Sequence, residues 1–159
     1  MSRRYSLSRI GDSWWLIIVL ASTFLFITLY AFPSFQAEFN QIAGTEIKSL
    51  DTRLWYSQQD ILALFQILQE DGRDKLRLFS GVVDMIYPLV YGALFFLLLK
   101  KLAGSFSTKK SWLKYVCFLP IIAAVFDYIE NINILIMLDT FPNISSTQVM
   151  LGSAATSLK

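Results

Sequence analysis

Histidine is absent from this chain, cysteine occurs once, and charge is scarce, with Asp, Glu, Lys and Arg making up 16% of 159 residues. Without histidine the protein cannot supply haem–His ligation, a His-containing zinc site or a Ser-His-Asp triad. The lone thiol, Cys117, rules out an intrachain disulfide. It stands near the start of an apolar run, where it reads as a buried, inert side chain, and zinc is not expected. The formal net charge of +2 is too small for a nucleic-acid partner, and the basic residues sit beside apolar runs rather than along an exposed face. No internal repeat, low-complexity tract or Gly-rich phosphate loop is present; Gly104, in Leu102-Ala103-Gly104-Ser105, reads as an ordinary turn. No nucleophile or cofactor motif stands out, because Ser57 and Ser80 have no assigned base and read as a cap or surface hydroxyl.

What the chain has in abundance is apolar surface. Hydrophobic residues reach 55%, Phe alone occurs 13 times, and the mean hydropathy is +0.50. That composition belongs to a membrane protein with the lipid bilayer as its solvent, and residues 1–159 suit a single membrane domain. The expected architecture is all-α, a polytopic transmembrane helix bundle. A first span runs from Trp14 to Phe32, flanked by Trp14, Trp15 and Tyr30 at the positions where amphipathic rings favour the interface. Its apolar stretch is longer than a signal-peptide core and ends at Ala31-Phe32-Pro33, so cleavage is disfavoured. The second span runs from Leu78 to Leu99. The third, Trp112 to Leu138, is long enough to require tilt or protrusion, with Trp112 and Tyr115 near one interface and Pro120 as a structural bend. Gln148 to Leu158 would extend only about 16 Å as a helix and reads as a truncated or interfacial fourth helix.

Between the first two spans, residues 33–77 form a polar segment. Within it Ile61, Leu62, Leu64, Phe65 and Leu68 recur at helical spacing after a Ser57 cap, which predicts an extramembrane amphipathic helix ending near Asp71-Gly72. The segment carries seven acidic and five basic residues. Arg3, Arg4 and Arg9 precede the first span, and Lys100, Lys101, Lys109, Lys110 and Lys114 fill the 100–114 connection. The positive-inside rule then places the N-terminus and the Lys-rich loop in the cytoplasm and residues 33–77 on the opposite side of a multi-pass protein, for which a bacterial inner membrane is the expected location.

Three carboxyl groups, Asp84, Asp127 and Glu130, fall inside the spans. Charge in hydrocarbon is expensive, so an intramembrane acid is a functional-site hypothesis by default. Helical spacing groups Asp84, Tyr87, Pro88 and Tyr91 on one face of the second span, and Asp127, Glu130 and Asn131 on one face of the third. Pro88 removes the N–H that would bond the Asp84 carbonyl, leaving that oxygen available. The two stripes are expected to face each other, as a binding pocket of Asp84, Tyr87, Tyr91, Asp127, Glu130 and Asn131 or as an interhelical hydrogen-bond network that only holds the bundle together.

The runs Asp84-Met85-Ile86-Tyr87-Pro88 with Tyr91, Asp71-Gly72-Arg73, and Phe126-Asp127-Tyr128-Ile129-Glu130-Asn131 together resemble a pattern in small bacterial integral membrane proteins of about four helices. The likeness covers about Ser57 to Asn133 and implies the fold, including a fourth helix that this chain cuts short, and no activity. Three functions remain open. The first is an outer-leaflet acidic pocket for a cation or the polar end of an amphipathic or lipid ligand; a divalent cation would use Asp84, Asp127 and Glu130 as hard oxygen donors, no other cofactor being evident. The second is a lipid-acting enzyme with a carboxyl pair as acid and base. The third is an accessory subunit that binds a membrane-protein partner or oligomerises through its lateral surface.

Overall fold

The computed structural model describes residues 14–47, 55–105 and 113–158. Arg3, Arg4, Arg9, Lys109, Lys110 and Trp112, which carry part of the expected orientation, lie outside those residues. Every described element is helical, and three helices are long and apolar enough to cross a membrane.

The first of these joins α1 (Trp14–Phe26), a π-helical turn (Ile27–Ala31) and α2 (Phe32–Ala43) into one helix of 30 residues. The apolar run stops at Phe32 as expected, but the helix does not. Proline is tolerated in a first helical turn, and the wide turn before Pro33, closed by Phe32 N–H on Ile27 O, moves the hydrogen-bond register by one residue so that the helix continues. Gly44 ends it in the left-handed conformation (φ 66°), which costs glycine nothing.

The second begins with α3 (Gln58–Leu78). Ser57 caps it as the sequence predicts, and the cap is a reciprocal box in which Ser57 Oγ accepts from Asp60 N–H while the Asp60 carboxyl accepts from Ser57 N–H. The amphipathic helix was expected to stop near Asp71-Gly72; the backbone instead breaks at Gln69 (φ 54°, ψ −162°) and then resumes. Arg73 holds this corner, donating to Phe65 O at 2.9 Å and lying 4.8 Å from the centre of the Phe141 ring. Helix continues through a second π turn (Phe79–Val83) into α4 (Asp84–Ser105), so Leu78 is no starting point and Gly104, read as a turn, is helical.

The third expected span is divided. A short α5 (Leu113–Val116) ends in a turn at Cys117-Phe118, and α6 (Leu119–Thr140) starts with Pro120 in its first turn. Pro120 therefore opens a helix rather than bending one, its missing N–H falling where no intrahelical partner is needed. Cys117 is buried. The chain then turns into α7 (Ser146–Leu158), which starts slightly earlier than periodicity implied and packs along α6.

α4 is the centre of the arrangement, with α1 on one side and α6 on the other. Two cores form. A larger one gathers α2, α3, α6 and α7 around Phe39, Tyr56, Phe65, Leu68, Met137 and Val149, so the amphipathic stripe of α3 is spent on packing. A smaller one joins α1 and α4 through Ile17, Leu94 and Leu97 at the opposite end. There Lys101 Nζ lies 4.6 Å from the Trp14 ring centre, which puts the start of α1 beside the end of α4. At the larger core, ion pairs Lys75–Glu38 (2.8 Å) and Arg77–Asp139 tie α3 to α2 and to the end of α6. The surface inverts the soluble pattern: Trp15, Leu29 and Leu89 are each about two-thirds exposed or more (72%, 70% and 65%).

Candidate functional site

Between the two cores, α1, α4 and α6 leave a cavity of about 370 Å³. Its walls come from Phe24 and Phe32 on the first helix, Asp84, Tyr87, Pro88, Tyr91 and Phe95 on α4, and Ala123, Asp127 and Asn131 on α6. Two of these residues, Phe32 and Asp84, directly follow the two π turns, and each closes its turn with an N–H bond five residues back. One extra residue per turn rotates everything after it, which is how a helix re-aims side chains without breaking.

The α4 and α6 stripes meet through side chain to backbone bonds around Pro88. Asn131 Nδ2 donates to Asp84 O at 2.7 Å, so the carbonyl that proline releases is taken by the neighbouring helix. One residue along, Tyr128 Oη donates to Met85 O at 2.9 Å. Tyr91 Oη donates to Asp127 Oδ2, pairing the α6 acid of the cleft with a phenol from the α4 wall. From the first helix, Thr28 Oγ1 lies 3.4 Å from Tyr87 Oη.

Aromatic rings complete the wall. Tyr87 is stacked against Phe24 (centroids 5.7 Å apart, 14° between planes), and it meets Phe32 and Tyr91 edge to face at 4.7 and 5.3 Å. Phe24 in turn meets Phe95 at 5.6 Å. Such geometries satisfy the ring quadrupoles and hold the side chains as a rigid set.

Glu130 is elsewhere. Of the six residues expected to share a pocket, Asp84, Tyr87, Tyr91, Asp127 and Asn131 line the cleft, whereas Glu130 is fully buried against α7 and accepts a hydrogen bond from Thr156 Oγ1. At about 100° per residue, Asn131 lies roughly 40° to one side of Asp127 and Glu130 roughly 60° to the other. The first direction faces α4. The second, shared with Asn133 and Met137, faces α7, where Asn133 Nδ2 donates to Gln148 O at 2.8 Å. The expected grouping of three acids is thereby divided, and among the described residues no three His, Cys, Asp or Glu side chains gather closely enough to hold a metal ion. Of the two serines, Ser57 is the cap. Ser80 is buried rather than at the surface, its Oγ without a hydrogen-bond partner among the described residues.

Sequence reasoning missed Phe24, Phe32, Phe95 and Ala123. Phe95 was within reach, since it continues the Asp84-Tyr87-Tyr91 stripe by one turn. Phe24 and Phe32 carried no signal among 13 phenylalanines, because their direction depends on the π turn between them. The chain matches no protein-family model, no curated protein and no solved structure. The motif resemblance therefore rests on its own residues, and function must be argued from the cleft.

Proposed function

We propose that the protein is an integral membrane protein that binds a cation, or the polar end of an amphipathic ligand, in the cleft between α1, α4 and α6. The observation that carries this reading is the presence of two carboxyl groups from different helices, Asp84 and Asp127, on one cavity at the middle of three helices long and apolar enough to span a bilayer. Acids at such depth carry a cost that a purely structural role does not require. The volume falls within the range of small-molecule sites, about 300–1,000 Å³. The outward Trp, Leu and Ile side chains suit contact with acyl chains, and the Lys101–Trp14 pair suits an interface. In this reading the start of α1 and the end of α4 face the cytoplasm and α3 lies across the bilayer, with α7 as a short fourth helix buttressing α6.

The test is calorimetric titration of the purified full chain with calcium, magnesium and manganese chlorides and with dodecylamine, against Asp84→Asn and Asp127→Asn. Saturable heat from at least one of these ligands, weakened about tenfold or more by either substitution, is expected where a close charge pair in a poorly solvated cleft is lost. Heat from none of them overturns the reading.

A further inference from the structure

The cleft has two properties that distinguish one class of cation from another. Its rings outnumber its acids: Phe24, Phe32, Tyr87, Tyr91 and Phe95 stand around Asp84 and Asp127, and no Lys or Arg is among the lining residues. A hard metal ion gains nothing from aromatic carbon and requires six or more oxygen donors, whereas an ammonium carrying apolar substituents is attracted to ring faces and carboxyls together. The second property is the way in. α1 and α6 each pack on α4 but not closely on each other, so the cleft opens sideways between them, through walls whose neighbouring outward residues Leu25, Phe26 and Ile122 are apolar.

Building on the proposed function, we infer that the ligand is a lipophilic organic ammonium ion with net positive charge, which enters the cleft laterally between α1 and α6 and rests its charged head between Asp84 and Asp127 against the face of Tyr87. Net charge matters. A zwitterionic choline headgroup also offers a quaternary ammonium, but it brings a phosphate for which the lining supplies no basic partner and two repelling acids. Tyr87 is the central ring, in contact with Phe24, Phe32 and Tyr91, and among the described residues its hydroxyl makes only the long 3.4 Å approach to Thr28. Its aromatic face, rather than its hydroxyl, is therefore its contribution.

The experiment is titration of the full chain in an uncharged maltoside with benzyltrimethylammonium, its uncharged isostere neopentylbenzene, phosphocholine and calcium, with heats taken against protein-free micelles and the melting temperature of each variant recorded. The expected result is saturable one-to-one binding of benzyltrimethylammonium, at least tenfold tighter than that of neopentylbenzene or phosphocholine. Asp84→Asn and Asp127→Asn should each weaken it tenfold or more. Tyr87→Leu should weaken it several-fold while Tyr87→Phe, which keeps the ring, binds like the unaltered chain. Equal binding of the uncharged isostere or of phosphocholine overturns the inference, as does full binding by Tyr87→Leu. Calcium binding without benzyltrimethylammonium binding overturns it while leaving the proposed function standing, and silence from all four, together with magnesium, manganese and dodecylamine, removes both.

Discussion

Pro88 has no N–H to give, and α6 answers with Asn131, whose amide reaches the Asp84 carbonyl at 2.7 Å. A released backbone carbonyl shielded from water must find a partner, so the two residues should be thermodynamically coupled. Asn131→Ala is expected to cost about 0.6–1.7 kcal/mol in detergent unfolding, the range of interhelical hydrogen bonds. In a Pro88→Ala background the restored N–H can bond Asp84 O within α4, and the same substitution should then cost little. Additive losses in that double-mutant cycle would show that the carbonyl is not what links them. This scale was the most legible in the sequence. The missing donor is a covalent property of proline, and Asn131 stands at helical spacing from Asp127, so both could be named before any fold was known.

Helices α3 and α7 show where periodicity stops being a guide. The apolar stripe of α3 is plain in the sequence, but Gln69 occupies a backbone conformation suited almost only to glycine, and nothing about glutamine announces it. Gln69→Gly should relieve that strain and raise stability by about 1 kcal/mol, read as a higher melting temperature; a fall would mean the corner depends on the Gln69 side chain. In α7 the decisive residue is Gly152. A Cβ there would lie 2.2 Å from Tyr56 Oη and 2.5 Å from Asn133 Nδ2, both on buried residues. Gly152→Ala is expected to destabilise by about 1–3 kcal/mol, and adding Tyr56→Phe should recover part of the loss by removing the nearer atom. No recovery would place the conflict on Asn133.

For the molecule as a whole, the proposed crossing pattern makes opposite ends of the second long helix face opposite sides of the bilayer. With Cys117→Ala as background, single cysteines at the exposed positions Gln59 and Gly104 report it. An impermeant maleimide applied to intact bacterial cells with a permeable outer membrane should label Gln59→Cys directly and Gly104→Cys only after the inner membrane is disrupted. Labelling of both from one side would remove the spanning arrangement. The two cores make the same arrangement intelligible. Each closes one end of the bundle, and the cleft is the stretch between them where α1 and α6 both pack on α4.

Composition and spacing by themselves determined the helical class, three runs apolar enough to span a bilayer, the Ser57 cap, and the pairing of polar stripes from Asp84 and Asp127. All of these follow from local chemistry: transfer of apolar side chains, a hydroxyl positioned for an N–H, and 3.6 residues per turn. Tertiary structure alone decided the rest. The π turns that aim Phe32 and Asp84 and the continuation past Pro33 are choices among backbone states of similar local energy, settled by packing, whereas the break at Gln69 is a locally strained state that packing imposes. The separation of Glu130 from Asp127 turns on about 60° of helix face, too little to resolve until α7 docks and claims one side of α6. A polar residue announces that it needs a partner, but which neighbour supplies it is a property of the assembled bundle.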